Sequence, residues 1–181
     1  MRALRMLAVL IAIVGASQLA RAGQAKPPAS PANPVLVFDT LKGSFEIELF
    51  QSEAPKSVEH ILDLMKRNFY RAQRFHRVTP ALAQFGDPQS RDMSKEAYWG
   101  NGGSGHTIGV FELSKKRSNV RGAVGLAHGG QPILADSQLY IVKTDQSGND
   151  GKYAIIGRVS AGMAVVDKLV KTDIIKDCRI K

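Results

Sequence analysis

The chain has 181 residues, 44% of them hydrophobic, with 17 Gly and 8 Pro, and it carries a formal net charge of +9. That length suits one domain, and the composition suits a globular, turn-rich fold, not a disordered or fibrous one. The single cysteine, Cys178, excludes an intramolecular disulfide and any paired-cysteine metal or redox site.

Residues 1–22 have the anatomy of a secretory signal peptide. Arg2 and Arg5 form a positive start, Leu7 to Val14 a short apolar run, and Ala20-Arg21-Ala22 a small-x-small cleavage site before Gly23. The apolar run is shorter than the roughly 20 residues of a membrane span. An exported protein, periplasmic or secreted, is expected, with no stable membrane insertion after cleavage; an uncleaved N-terminal anchor is the alternative. The segment holds Arg2, Arg5 and Arg21 and no acidic residue, so the mature chain carries +6. Its basic residues are scattered. Only Lys115-Lys116-Arg117 form a run, which reads as a solvated loop, so nucleic acid is not an expected partner.

Gly23 to Pro34 is rich in Pro, Ala and Ser and reads as a disordered linker, leaving residues 35–181 as the folded domain. Val35–Thr40 and Ser44–Phe50 form two strand-like runs around Lys42-Gly43, an antiparallel hairpin. Phe45, Ile47 and Leu49 alternate with polar residues, which predicts one buried and one wet face. Pro55 then suits the first turn of a helix along which Val58, Ile61, Leu62 and Met65 recur at helical spacing. His60 falls among its polar positions and reads as a surface side chain.

Phe75 to Asp87 places two short apolar runs on either side of Thr79-Pro80, with Arg77 and Gln84 between apolar neighbours. Strand alternation predicts that Phe75 shares a face with Arg77, and His76 with Val78. A guanidinium among apolar side chains is costly to desolvate, so its position calls for a reason. Gly100-x-Gly102-x-x-Gly105 matches a dinucleotide fingerprint as a string, but no clear strand precedes it and no helix follows, so a nucleotide site is not expected. Ala123–Ala127, Gln138–Val142, Tyr153–Val159 and Ile174–Ile180 read as strands, and Met163–Val170 as a second short helix. Cys178 falls in the last strand, where a buried, inert thiol is expected. Short strands in mainly antiparallel order with two isolated helices indicate an all-β barrel or sandwich. Trp99, the only tryptophan, is expected to pack. No HExxH or paired-cysteine pattern is present, so neither a metal nor a cofactor is expected.

The run Phe75-His76-Arg77, closed by Gln84, Gly86 and Asp87, resembles the signature of the cyclophilins, the peptidyl-prolyl cis-trans isomerases. Four further segments resemble the family in order. They are Gly43–Phe50 with the Ala54-Pro55-Lys56-Ser57-Val58 helix start, Gly122–Ala127, Asp136–Ile141 and Asp150–Val159. The resemblance spans residues 35–181 and implies an eight-stranded antiparallel barrel capped by two α-helices, with the site in a groove on its outer face. It implies an isomerase of the EC 5.2.1.8 class that binds proline-containing segments of unfolded or extended polypeptides, here as a monomer assisting exported proteins to fold. Arg77 and Gln84 become the catalytic candidates: Arg77 as donor to the prolyl nitrogen, Gln84 to hold the substrate backbone and orient Arg77. Leu82, Ala83, Tyr140 and Tyr153 would line the proline pocket, and Ala127 and Gln138 would flank the peptide.

Departures from the family pattern fall in the pocket. Ala81-Leu82-Ala83 is small and one residue short, Tyr140 stands for a phenylalanine, Ser147-Gly148-Asn149 replaces a segment that often holds a tryptophan, and Tyr153 replaces a histidine. Smaller apolar walls forfeit part of the roughly 1.5–3 kcal/mol that each large buried side chain supplies. Weaker proline binding, reduced turnover and poor affinity for cyclosporin-type ligands are therefore expected. The alternative function is a non-catalytic, cyclophilin-like chaperone or peptide-binding module.

Overall fold

The structure, a computed structural model, describes residues 32–181. The expected signal peptide and most of the expected linker lie outside the described residues. The end of that linker is already tied down, against expectation: Asn33 donates to the Glu48 carboxylate at 2.9 Å, and the Pro34 carbonyl accepts the Leu49 amide.

Eight strands form one antiparallel sheet: β1 (Val35–Thr40), β2 (Gly43–Leu49), β3 (Arg77–Val78), β4 (Leu82–Phe85), β5 (Ala123–Leu126), β6 (Leu139–Val142), β7 (Ile155–Ala161) and β8 (Ile175–Ile180). Their spatial order is β3-β4-β6-β5-β7-β2-β1-β8. The sheet curls until its two ends approach, linked by an isolated antiparallel bridge between Arg74 and Ile174. This is the expected all-β architecture with two helices, α1 (Pro55–Lys66) and α2 (Met163–Lys168). Pro55 opens α1, and Val58, Ile61, Leu64 and Met65 send its apolar stripe into the core.

Period-two alternation divides the sheet into an inner and an outer face. Phe45, Ile47 and Leu49 of β2, Ala83 and Phe85 of β4, Val124 and Leu126 of β5, and Leu139 and Ile141 of β6 point inward. There they meet Phe38, Tyr70 and Phe75 in an aromatic cluster with ring centres 5.1 to 6.3 Å apart. The opposite positions form a second, smaller apolar cluster of Phe50, Ala123, Tyr140, Val142 and Ile155. Strand alternation thus builds two cores, and the candidate site lies on the side of the outer one.

Two local expectations need correction. Phe75 and Arg77 do not share a face: Phe75 is fully buried, Arg77 is exposed, and the strand covers only Arg77–Val78. The Phe75 amide bonds the Asp173 carbonyl, so the chain turns off the sheet there and the period-two rule lapses. His60 is no surface histidine: its side chain is 15% exposed and its Nε2 lies 3.1 Å from Asp136 Oδ1. Ala97-Tyr98-Trp99 ends a short 3₁₀ helix (Met93–Tyr98), which the Trp99 indole pins by donating to the carbonyls of Gln89 and Asp92. Cys178 is buried, and burial raises its thiol pKa. Among the described residues, no helix is long and apolar enough to cross a membrane.

Candidate active site

One cross-strand row carries the site. Arg77 of β3 pairs with Gln84 of β4, Gln84 with Tyr140 of β6, and Tyr140 with Gly125 of β5. Side chains directly opposite in such a row have their Cβ atoms roughly 4.5–5.5 Å apart. Arg77, Gln84 and Tyr140 therefore stand side by side on the outer face because of register alone. The β3–β4 turn is fixed by Thr79, whose amide bonds the Leu82 carbonyl at 2.8 Å while its hydroxyl accepts the amides of Ala81 and Leu82.

A recess of about 370 Å³ opens on this row, bordered by Arg77, Leu82, Gln84, Ala127, Tyr140 and Tyr153. Six of the eight residues expected at the site thus converge on one cavity. Gln138 borders the adjoining recess of about 590 Å³, which shares Gln84, Ala127 and His128 with the first. Ala83 is the exception and a correction. It alternates with Leu82 and Gln84, is fully buried, and belongs to the inner core.

Gln84 does not orient Arg77 as expected. Its amide nitrogen donates to Gln138 Oε1 at 2.8 Å, and Gln138 in turn donates to the carbonyls of Gly100 and Gly102 at 2.8 and 2.7 Å. Arg77 makes no side-chain hydrogen bond or ion pair among the described residues and is exposed. A guanidinium with all its donors unspent borders the recess.

The glycine-rich stretch has a structural explanation that the fingerprint string obscured. It wraps two carboxylates: Asp87 accepts the amides of Gly100 and Gly102 at 2.6 and 3.1 Å, and Asp136 accepts the Gly105 amide and the Ser104 hydroxyl. A Cβ at Gly102 would collide with the Asp87 carboxylate. Burial pushes the Asp136 pKa up, but bonds from His60 and Ser104 outweigh it and hold the carboxyl below its usual value. His76, buried beside this loop, has no hydrogen-bond partner on either ring nitrogen among the described residues. Burial lowers its pKa, against the opposing pull of Asp87.

The floor of the recess, built on Tyr140 and Tyr153, is held by Asn119 and His128, which the sequence reading did not single out. The Tyr140 hydroxyl donates to Asn119 Oδ1 at 2.6 Å, and Asn119, itself buried, holds Asp150 Oδ1 through its backbone and side-chain N–H groups at 2.7 and 3.1 Å. Burial, then the nearby Tyr153 and Asp150, raises the Tyr140 pKa, so the phenol stays a neutral donor. Tyr153 meets Tyr140 edge-on at 5.6 Å and stacks on His128 at 4.6 Å, and Phe111 meets His128 edge-on at 6.4 Å. Asn119 carries no local sequence signal. His128 was legible only as part of a loop. Among the described residues no group of three His, Cys, Asp or Glu side chains is placed to hold a metal.

A curled eight-stranded antiparallel sheet thus carries on its outer face a mixed polar and apolar recess, bordered by an arginine that is unpaired among the described residues. The family model for "Cyclophilin type peptidyl-prolyl cis-trans isomerase/CLD" matches residues 35–181. The chain is 38% identical over 163 residues to a "Probable peptidyl-prolyl cis-trans isomerase" of Brucella suis, covering 87% of this chain and 79% of that one. It is 32% identical over 140 residues to a "Peptidyl-prolyl cis-trans isomerase" of Helicobacter pylori, covering 76% and 80%. The crystal structure of a Cryptosporidium parvum cyclophilin type isomerase superposes with a TM-score of 0.71 at 24% identity, covering 82% of this chain and 98% of that one. That parasite protein was also crystallised in the presence of the dipeptide Ala-Pro. The chain belongs to the cyclophilin type peptidyl-prolyl cis-trans isomerases, enzymes of the EC 5.2.1.8 class.

Proposed function

We propose that the groove accelerates cis–trans isomerisation of prolyl bonds in extended polypeptide segments, with Arg77 stabilising the twisted bond. The carrying observation is the position of Arg77: paired in register with Gln84, without a side-chain partner among the described residues, and bordering the recess of Leu82, Tyr140 and Tyr153.

Amide resonance sets a barrier of about 18–20 kcal/mol to rotation, and the uncatalysed step takes about tens to hundreds of seconds. No bond between heavy atoms breaks, so neither nucleophile nor metal is required. As the bond twists, conjugation is lost and the prolyl nitrogen regains its lone pair. A donor aimed at that nitrogen binds the twisted form more tightly than the planar one, which lowers the barrier. Arg77 suits this role because its charge persists at every relevant pH and it offers several donors in one plane. Leu82, Tyr140 and Tyr153 seat the proline ring. Gln84 and Gln138, held to one another, offer polar groups to the peptide backbone beside Ala127. The Ala-Pro dipeptide used with the parasite relative is the simplest ligand of this chemistry.

The small wall at Ala81-Leu82 and the unheld guanidinium predict turnover below that of a fully preorganised site. In the setting implied by the N-terminal sequence, we propose that the protein assists folding of exported chains. No cofactor is needed for this. N-terminal sequencing of the exported protein tests the location: a start at Gly23 is expected, and a start at Met1 would overturn it. The reaction itself is tested by exchange of a short Ala-Pro peptide, measured below against Arg77→Ala.

A further inference from the structure

The Gln138 amide can face in only one direction. Its Nε2 donates to the carbonyls of Gly100 and Gly102 at 2.8 and 2.7 Å, and a carbonyl oxygen only accepts, so the nitrogen must face the loop. Oε1 is thereby turned towards Gln84, whose Nε2 donates to it at 2.8 Å. Both protons of the Gln138 amide are spent. Gln84 keeps its Oε1 and one N–H for a peptide, in a direction set by the loop and not by its own strand.

The loop is in turn held from behind. Asp87 Oδ2 accepts the amides of Gly100 and Gly102 at 2.6 and 3.1 Å. Oδ1 accepts the Gln89 amide at 2.8 Å and caps the 3₁₀ turn that follows (Pro88–Arg91). Hydrogen bonds to an ionised carboxylate are roughly twice as strong as neutral ones. Asp87 is fully buried and borders neither recess of the groove, whereas Gln84, Gly100, Gly102 and Gln138 all border the larger one. A bound peptide therefore meets the glutamines and the loop, and not the carboxylate. The contacts close a ring: from Gln84 along the backbone to Asp87, and back through the glycine loop and Gln138.

We propose that Asp87 is a positioning residue for prolyl isomerisation: acting through Gly100, Gly102 and Gln138, it fixes the direction in which the Gln84 amide meets the peptide backbone. The inference rests on the groove chemistry proposed above, but the state of the Gln84 amide can be read without turnover. Asp87→Asn separates the two functions of the carboxylate. It keeps an oxygen for the Gln89 amide and turns an NH₂ group onto the amides of Gly100 and Gly102, so the cap persists and the loop is released.

The test follows the side-chain amides of Gln84 and Gln138 by NMR in the full, isotope-labelled chain, each signal assigned by its loss in Gln84→Leu or Gln138→Leu. Asp87→Asn should shift both signals and speed their exchange with water. Ser104→Ala, which removes a bond from the same loop to Asp136, should leave both in place. With an Ala-Pro peptide, Asp87→Asn should lower kcat/KM by up to about a hundredfold. In the Gln84→Leu background the same change should cost about twofold or less, because it acts through a group already removed. Should Asp87→Asn fail to fold, Gly102→Ala takes its place with the same readouts, since its Cβ would collide with the Asp87 carboxylate and push the loop off it. Unmoved amide signals, equal shifts in Ser104→Ala, or losses in kcat/KM that multiply would overturn the proposal and leave Asp87 a structural cap. A wild type without turnover would remove the groove chemistry, and the amide signals would then decide on Asp87 by themselves.

Discussion

The ring of Tyr140 lies across the backbone of Gly125, its partner in the neighbouring strand, so closely that a Cβ on Gly125 would stand 2.6 Å from the ring's Cε1. Only with no side chain at Gly125 can the ring cross β5 and reach Asn119 at 2.6 Å. The floor of the recess is therefore a property of two residues on two strands.

Gly125→Ala should push the Tyr140 ring into the recess and break its bond to Asn119. Forcing extra volume into a packed site costs about 1–3 kcal/mol. Urea unfolding should show that loss together with a rise in KM for a prolyl peptide. Tyr140→Leu in the same chain should relieve part of both, because the two residues are in contact and their effects do not add. Additive effects would show that the ring does not depend on Gly125.

Leu82 and Ala83 are adjacent in sequence and face opposite ways. Leu82→Ala should raise KM on the order of tenfold with a small change in stability, since it strips apolar wall from the recess. Ala83→Leu should instead cost about 1–3 kcal/mol of stability by overfilling the inner core, with the groove chemistry intact in the folded fraction. The reverse pattern would mean that Ala83 lines the pocket after all.

Strand alternation accounts for much of what the sequence revealed and for where it misled. It correctly divided β2 into buried and open faces, and helical spacing correctly placed α1; in β4 the same rule was overlooked, since the adjacent Leu82 and Ala83 were expected in one pocket and Ala83 faces the inner core. It failed at Phe75 and Arg77, where the chain leaves the sheet to bond Asp173, a partner almost a hundred residues away in sequence. Arg77, Gln84 and Tyr140 were legible as residue types, but the row that aligns them depends on register between strands far apart in the chain. The roles of Asn119 and His60 were illegible for the same reason: each is defined by one long-range contact, to Tyr140 and to Asp136, that no local pattern announces.

His76 ties stability to pH. Its folded-state pKa is lowered, chiefly by burial, so the unfolded chain binds the proton more readily. The contribution is fully present above the ordinary histidine value of about 6.5 and is lost as pH falls below it. Asp136, whose pKa is also lowered, loses its contribution only below the ordinary carboxylate range. Chemical denaturation between pH 7.5 and 5 should thus show declining stability in the wild type and a flatter profile in His76→Leu. Parallel profiles would assign the decline to another group.

The most direct test is the exchange rate of a short Ala-Pro peptide with the wild-type chain and with Arg77→Ala, alongside their unfolding midpoints. Arg77 is exposed and bonded to nothing described, so the midpoint should not move. Removing a preorganised donor typically costs about 10²–10³ in rate; Arg77 is unheld, so a loss at or below the lower end of that range in kcat, with little change in KM, is the predicted result. Equal turnover in both proteins would remove Arg77 from the mechanism. Absence of acceleration in both, with each folded and still binding peptide, would make the groove a peptide-binding module on an isomerase fold.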